Sequence, residues 1–254
     1  MTRRTIGFVI FAAIVSAVCV RLGFWQLDRR VERRALNAML ATRLGAEAGP
    51  AFDVMRDSTT AQFRRATARG TYDFANEIAV GSRTHQGSPG VHVLTPLRIS
   101  GRDTALLVNR GWVYSPDAMS IDFGRWVEAD TATVTGYLLV LPRGGTGLVS
   151  IPANARTVRR LDADSLAARL PYPIAPFLLV QTAPSRAVAD SATVRVATPV
   201  LDEGPHLGYA FQWFAFALIG LIGAAVIMRA DRRGSQHARS ARGTVRQPFP
   251  RDET

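Results

Sequence analysis

The chain has 254 residues and a formal net charge of +11 at pH 7, and all 31 of its Lys and Arg residues are arginine. These arginines are spread along the chain rather than clustered with aromatic residues, which suits an anionic membrane surface and argues against a nucleic-acid groove. The single cysteine, Cys19, lies within an apolar segment, which excludes an intramolecular disulfide and a thiolate metal site.

The first apolar segment follows Arg3 and Arg4 and runs over residues 6–25. As a helix it is about 30 Å long, just enough to cross the hydrocarbon core of a bilayer. A cleaved signal peptide shares the basic start and the apolar run, but no A-x-A cleavage pattern follows it. We therefore predict a cytoplasmic segment over residues 1–5 and an uncleaved transmembrane helix over residues 6–27.

Residues 28–205 are predicted to form one α+β domain with a mainly antiparallel sheet. Residues 27–44 repeat their apolar side chains at helical spacing and continue the first helix. Beyond Pro50, short runs rich in β-branched and aromatic residues predict strands. These runs cover residues 63–72, 77–83, 91–99, 105–113, 131–140, 177–182 and 192–197. Residues 161–170 predict a short helix, capped by Asp162 or Asp164 and ended by Pro171.

The second apolar segment covers residues 206–228, and no charged residue follows His206 within it. It predicts a second transmembrane helix, because roughly 33 Å of helix spans a bilayer core. Pro205 precedes this helix, and arginines end it. Residues 229–254 are rich in Arg, Ser, Gly and Gln with few large apolar side chains, and they predict a basic, disordered cytoplasmic tail.

Two spans place both termini on the same side of the membrane. The arginines of the tail, with Arg3 and Arg4, favour cytoplasmic termini under the positive-inside rule. The four arginines at positions 29, 30, 33 and 34 oppose this orientation, but a long domain crosses largely regardless of its charge. We therefore expect both termini in the cytoplasm and the central domain outside it.

No catalytic constellation is recognisable. The four histidines form no H-x-H or H-x-x-x-H pair, and a chain without lysine has neither a Ser/Lys dyad nor a Schiff base. No G-x-S-x-G pattern is present, and the glycines of residues 144–147 indicate a hairpin turn rather than a dinucleotide loop. The sequence predicts a protein that is not an enzyme.

The strand end at residues 109–113 permits two interpretations. In the first, Gly111 forms a bulge or turn and Trp112 packs in the core, which is usual for such residues. In the second, Arg110 and Trp112 face a partner or the membrane surface. The first is favoured, and the arginines at positions 64, 65 and 69 are expected on a solvated face.

His206 is either an interfacial residue or a ligand. On a helix it heads a stripe about 80° wide, and a flat metal macrocycle could lie on that stripe with the imidazole on its metal. The stripe contains His206, Tyr209, Trp213, Phe216 and Gly220. Against this, aromatic residues are typical of the membrane interface, and Gly220 with Ala224 suits plain helix packing. The residues alone favour interfacial anchoring.

Antiparallel spans would bring Trp25, Gln26 and Arg29 to the membrane level of His206. Arg29 could then pair with an anionic group, such as the propionate of a porphyrin.

Five short motifs, in order from the first apolar segment to the second, resemble those of the surfeit locus protein 1 family. The first, at residues 22–29, is similar to the L-G-x-W-Q-x-x-R signature of the family. The others are Gly70-Thr71-Tyr72, Thr95-Pro96-Leu97, Val108-Asn109-Arg110-Gly111-Trp112-Val113 and His206-Leu207-Gly208-Tyr209-Ala210-x-Gln212-Trp213. A lysine common after the first motif is absent here, and residues 141–190 and the tail match poorly.

The resemblance implies an assembly factor for haem–copper cytochrome c oxidase in the bacterial plasma (inner) membrane. Such a factor binds haem a transiently and aids its insertion into the catalytic subunit. His206 matches the axial iron ligand proposed for the family, with Tyr209, Trp213, Trp25 and Arg29 as its surroundings. The implied partners are the oxidase catalytic subunit, the haem a synthesis machinery and membrane lipid, with no nucleic acid.

Two alternatives remain beside haem delivery. The protein could be a purely structural membrane chaperone that docks oxidase subunits, with His206 only an interfacial residue. It could also be a two-span sensor or adaptor, although a short disordered tail is a poor signalling module.

Overall fold

A computed structural model describes residues 2–144, 150–151, 154–182 and 193–243, and the chain divides into two units. Residues 1–38 and 202–254 form a helical unit, and residues 39–201 form a β unit. Part of the predicted turn at residues 144–147, the start of the predicted strand at residues 192–197 and the last part of the tail lie outside the described residues.

The helical unit pairs two long antiparallel helices, α1 (Arg3–Gly45) and α5 (His206–Gly243). Both are long and apolar enough to cross a membrane. Only 22% and 11% of their most apolar stretches are buried, so these side chains do not form the core of a soluble fold. The predicted pair of transmembrane helices, with a mainly antiparallel β domain between them in sequence, is confirmed as the fold class.

Small residues form the seam between α1 and α5. On α5 the buried residues Ala210, Ala217 and Ala224 recur every seven positions, the spacing of a left-handed helix pair. Ser16 on α1 donates a hydrogen bond from Oγ to the carbonyl oxygen of Ala217 at 3.1 Å. At Gly23 the helices approach so closely that an added Cβ would stand 2.6 Å from the Phe214 ring. The seam therefore fixes the register of one helix against the other.

The helix α5 continues past the apolar segment to Gly243. Residues 229–243 are therefore helical, and the predicted disorder of this part of the tail is wrong. A helix that is already nucleated adds residues such as Ala, Arg and Gln at little cost, which counting apolar residues does not detect. Asp231 also accepts hydrogen bonds from Thr2 N at 3.1 Å and Thr5 Oγ1 at 3.2 Å, at the first turn of α1.

Replacing Gly23 with isoleucine is expected to strain the seam by about 1–3 kcal/mol, the usual cost of overpacking. Gly7→Ile in the same helix is the matched control, because nothing lies within 4 Å of a Cβ there. We expect the thermal unfolding midpoint of the detergent-solubilised protein, followed by tryptophan fluorescence, to fall for Gly23→Ile only. Equal unfolding midpoints for the two variants would contradict the close packing of α1 and α5 at Gly23.

The β unit is built on a nine-stranded sheet with three short helices. The strands are β1 (Gly49–Pro50), β2 (Arg65–Tyr72), β3 (Ile78–His85), β4 (Ser88–Arg98), β5 (Ala105–Tyr114), β6 (Thr131–Val140), β7 (Ser150–Ile151), β8 (Asn154–Val158) and β9 (Ile174–Gln181). The helices are α2 (Ala51–Val54), α3 (Ser58–Ala61) and α4 (Ala163–Arg169). Short 3-10 helices occupy Phe74–Asn76 and Phe123–Trp126.

The sheet has the order β1-β2-β6-β9-β5-β4-β3-β8-β7, and an additional pairing joins β2 to β4. That pairing, at Thr71↔Arg98 and Tyr72↔Leu97, closes five strands into a barrel. Among the described strands only β1–β2, β3–β8 and β5–β9 are parallel, so the sheet is mainly antiparallel.

The predicted elements are largely present. The five predicted strands between residues 63 and 140 correspond to β2 to β6, residues 177–182 overlap β9, and Asp162 caps α4 as expected. The predicted strand at residues 192–197 is wrong for its described part, where only the bridge Val194–Trp112 forms. The sequence analysis missed β1, β7, β8, α2 and α3, because two to five residues are too few to show a periodic pattern.

Alternation along the strands buries side chains on both faces of the sheet, where the described residues form three hydrophobic clusters. Val108 on β5 and Leu138 on β6 point into the barrel and pack with residues of α2 and α3. Their neighbours Leu107 and Tyr137 point to the other face and pack with Leu166 of α4. Both faces are covered, so these strands are apolar at consecutive positions.

Arg110 is fully buried at a bulge in β5. In the pairing of β4 with β5, Val93 lies opposite Gly111 and Leu94 opposite Asn109, so Arg110 has no partner residue in the register. The next residue, Gly111, has φ +141°. Its guanidinium donates from Nη2 to Glu77 Oε1 at 2.5 Å and from Nε to Thr95 Oγ1 at 2.8 Å.

This burial decides between the two interpretations of residues 109–113. Trp112 is only 8% exposed. The packing interpretation is therefore confirmed, and the prediction that Arg110 and Trp112 face a partner or the membrane is wrong. The bulge is the physical reason, because it turns the guanidinium toward the buried Glu77. Arg65 and Arg69 are exposed on β2, as expected.

Replacing Arg110 with methionine leaves the Glu77 carboxylate buried without its cation. Loss of one partner of a buried ion pair costs about 3–5 kcal/mol, and we expect the free energy of unfolding in urea to fall by that amount. Arg65→Met removes an exposed arginine from β2 and should change the free energy of unfolding by no more than about 0.5 kcal/mol. Similar decreases in the free energy of unfolding for both variants would contradict a stabilising role of the buried Arg110–Glu77 pair.

Candidate functional site

The candidate site lies at the end of the helical unit where α5 begins. The sequence Asp202-Glu203-Gly204-Pro205 turns the chain into the helix. Gly204 has φ +70°, a conformation that favours glycine, and its N–H donates to Asp202 Oδ1 at 2.9 Å. The turn places His206 at the first position of α5, beside α1.

His206 is held by Gln26 of α1. The imidazole Nδ1 lies 2.9 Å from Gln26 Oε1, between residues 180 positions apart in sequence. A carbonyl oxygen only accepts hydrogen bonds, so Nδ1 is the donor and carries the proton. In the neutral imidazole the other nitrogen, Nε2, then keeps its lone pair. Iron-binding and zinc-binding histidines are commonly oriented in this way by a bond to the second nitrogen.

Gly204 lies beside the Nε2 edge of His206. A Cβ added at Gly204 would stand 3.4 Å from Cδ2 and 3.5 Å from Nε2 of the imidazole. These are ordinary van der Waals separations, so the positive φ of Gly204 is what favours glycine at this position. The residue before Pro205 therefore combines a turn conformation that favours glycine with a position beside the imidazole ring.

A cleft of about 440 Å³ opens beside His206. Its lining residues are Arg29, Glu32, Arg33, Leu36, Gly204, Pro205 and His206. Arg29 donates from Nη1 to Glu32 Oε2 at 2.7 Å, and their side chains are 51% and 62% exposed. Exposed pairs of this kind contribute no more than about 1 kcal/mol, so another anion could replace Glu32.

Three arginines of α1 hold the turn that precedes His206, and we call this group the arginine clasp. Glu203 accepts from Arg30 Nε at 3.1 Å and from Arg34 Nε at 2.8 Å. Arg33 donates from Nε to the carbonyl oxygen of Asp202 at 3.2 Å. The hydrogen bond from Arg34 holds the pKa of Glu203 below its usual value. The clasp therefore stays charged at neutral pH and keeps the turn against α1.

The structure brings together some of the predicted site residues. His206 and Arg29 line the same cleft, and Trp25 joins them through the Arg29 guanidinium, which lies 5.7 Å from its ring centroid. Tyr209 and Trp213 do not line this cleft. Tyr209 is 49% exposed, and Trp213 packs edge-to-face on Phe216 with ring centroids 6.0 Å apart.

Gly220, the last residue of the aromatic stripe, packs against α1. A Cβ at Gly220 would stand 2.7 Å from Ser16 Oγ, so this glycine serves the packing of α5 on α1. The helix-packing interpretation of Gly220 and Ala224 is therefore the correct one. Tyr209 and Phe216 still offer exposed aromatic surface on the outer side of α5.

Gln26 is the functional candidate that the sequence reasoning left out of the site, although it placed this residue at the level of His206. Two sequence features could have indicated the role of Gln26: the antiparallel arrangement of the two spans and the Trp25-Gln26 pair in the first motif.

The donor set fits a haem-type group better than a bare metal ion. Within the described residues no group of three or more His, Cys, Asp and Glu side chains could hold a metal ion. One oriented imidazole suits an axial position on iron that four macrocycle nitrogens already bind. The arginines of the cleft suit carboxylates, because guanidinium groups bind them in a bidentate manner.

Fold and site together define a protein with two membrane-capable helices and a β-barrel domain, in which one oriented histidine stands at the end of the helix pair. The sequence model of the SURF1 family matches residues 13–218. The chain therefore belongs to the SURF1 family.

Individual relatives agree at low identity. A SURF1-like protein of Monosiga brevicollis is 25% identical over 251 residues, covering 93% of this chain and 90% of the relative. An uncharacterized SURF1-like protein of Mycobacterium tuberculosis is 25% identical over 260 residues, covering 92% and 88%. Surfeit locus protein 1 of Mus musculus is 29% identical over 117 residues, 41% of this chain and 38% of the relative.

Replacing Gln26 with leucine should release the imidazole of His206. In the native protein we expect nitrogen-15 NMR of labelled histidine to show a protonated Nδ1 and an unprotonated Nε2 at His206. Gln26→Leu should redistribute the proton between the two nitrogens, because the acceptor is gone. Gln212→Leu removes an exposed glutamine of α5 and is the matched control. An unchanged His206 spectrum in Gln26→Leu would contradict the assigned hydrogen bond.

Proposed function

We propose that this protein is a non-catalytic assembly factor for a haem–copper cytochrome c oxidase, and that it holds haem a on its way to the catalytic subunit. The observation that carries the proposal is the bond from His206 Nδ1 to Gln26, which leaves Nε2 as a free nitrogen donor. Membership of the SURF1 family agrees with an oxidase-assembly role.

When bound, haem a would supply an iron that takes a nitrogen ligand, two propionates and a long apolar tail. His206 Nε2 would serve as the axial ligand. Gln26 would keep the ring in one orientation. Trp25 packs against Arg29 and would hold that guanidinium at the cleft.

Arg29 and Arg33 are the candidates for the propionates. Arg29 is paired with Glu32 at the surface, and exchange of one carboxylate for another conserves its ion pair. Tyr209 and Phe216 expose aromatic surface along α5, where an apolar tail would contact both protein and lipid. Each buried CH₂ group of such a tail contributes about 0.8 kcal/mol.

A delivery protein must also release its cargo. One protein ligand in an open, solvent-facing cleft gives moderate affinity, whereas two axial ligands in an enclosed pocket would give a permanent site. The small number of residues that line the cleft and the exposed Arg29–Glu32 pair therefore support transient binding.

We place the protein in the bacterial plasma (inner) membrane, with both termini in the cytoplasm and the β domain outside it. The arginines that follow the apolar segment of α5 support this orientation under the positive-inside rule. Its partners would be the oxidase catalytic subunit, the haem a synthesis machinery and membrane lipid, with no role for nucleic acid.

A purely structural chaperone is the second candidate, and two observations favour it. Arg29 already has Glu32 as its counter-ion, and the aromatic residues Tyr209 and Trp213 do not line the cleft of His206. In this case the exposed apolar faces of α1 and α5 would dock oxidase subunits within the membrane, and His206 would only stabilise the helix pair through Gln26.

Wild type, His206→Ala and His237→Ala purified from cells that make haem a should separate these functions. We expect optical spectra to show haem a in wild type and in the control His237→Ala, and at least a tenfold loss in His206→Ala. Equal haem content and the same Soret band in all three would contradict the ligand assignment. If His206→Ala loses haem while the oxidase still matures fully, haem delivery is not the essential role of the protein.

A further inference from the structure

A second cavity, of about 240 Å³, lies within the β unit on the face of the sheet that α4 covers. The described residues that line it come from five neighbouring strands and from the segments around residues 161 and 196. They are Val80, Arg83, His92, Leu94, Asn109, Tyr137, Leu139, Leu161, Leu178, Val180 and Val196. Most of this lining is apolar, and the polar side chains among the described lining residues are Arg83, His92, Asn109 and Tyr137.

The orientation of one amide determines what His92 can do in this cavity. Gly111 donates from its backbone N–H to Asn109 Oδ1 at 3.0 Å, so the Asn109 amide presents its nitrogen to the other side. Nδ2 of this amide lies 3.3 Å from His92 Nδ1 and donates to it. His92 therefore accepts at Nδ1 and carries its proton on Nε2. In this tautomer Nε2–H is a hydrogen-bond donor and not a metal ligand.

His92 stays neutral at physiological pH. Burial, together with the nearby Arg83 and His85, lowers the pKa of His92 to about 4. It can therefore contribute a hydrogen bond but no charge of its own.

Arg83 supplies the charge. A bulge between Val80 and Arg83, with Ser82 at φ +56°, interrupts the pairing of β3 with β4 at this point. The Arg83 side chain is half-buried, and burial lowers the pKa of its guanidinium. Within the part of the chain that the structure describes, no carboxylate lies within ion-pair distance of it. A partly desolvated cation without a counter-ion is unfavourable, and a bound anion would offset that cost.

We propose that this cavity binds a small organic carboxylate with a compact apolar body. The carboxylate would lie against Arg83 and the Nε2–H of His92, and the apolar body among Leu94, Leu139 and Leu178. A porphyrin does not fit, since sites for drug-sized ligands measure about 300–1,000 Å³ and this cavity is smaller. The site is separate from the cleft at His206 and does not depend on the role proposed for that cleft.

Binding of 3-phenylpropionate to the full-length protein in a neutral maltoside detergent tests the proposal by titration calorimetry. We expect saturable binding that Arg83→Gln weakens at least tenfold, because the charged partner of the carboxylate is gone. Arg65→Gln removes an exposed arginine of β2 and should bind as wild type does. 3-Phenylpropanamide, which has the same apolar body without the charge, should bind at least tenfold more weakly than the acid.

Two further measurements control for misfolding of the variants and for partition of the ligand into detergent micelles. Leu139→Phe narrows the cavity without touching a charge, and it should lose binding while its urea unfolding midpoint remains close to wild type. Dodecanoate tests a lipid-derived acyl chain, which is too long for the cavity and should compete poorly. Absence of 3-phenylpropionate binding, equal affinity in Arg83→Gln, or equal binding of the amide would each overturn the proposal.

Discussion

The close contact between α1 and α5 is the constraint on which the candidate site depends. Small residues let the two helices approach, and Gly23 leaves no room for a side chain beneath Phe214. This contact fixes the register of the helices, and the register brings Gln26 to His206 across 180 residues of sequence. A displacement of one helical turn would separate the imidazole from its acceptor and leave the ring free to rotate.

The β unit depends on a different device, the bulge at Arg110. It turns a guanidinium toward the buried Glu77, and Gly111 next to it supplies the N–H that orients Asn109. One irregularity in β5 therefore supports both the barrel and the polar edge of the second cavity. Residues 108–113, which resemble a family motif, are not among the residues that line the cleft at His206.

The sequence was sufficient where the signal is local. Apolar length predicts both spans, and alternating runs predict six of the nine described strands, with the bounds of β6 correct. Closure of the barrel was not predictable, because it rests on two residue pairs between β2 and β4. The role of Gln26 also depends on a distant partner, and burial of Arg110 depends on a bulge that periodicity does not reveal. The continuation of α5 to Gly243 was not predicted, because the composition of residues 229–243 does not reveal that they extend an existing helix.

Our proposal is that Nε2 of His206 binds haem iron. It can be tested directly by electron–nuclear double resonance on a chain in which His85, His92 and His237 are glutamine and the remaining histidine carries nitrogen-15. We expect a strong hyperfine coupling from one labelled nitrogen to the ferric iron of bound haem a. Haem bound to this chain without such a coupling would contradict it.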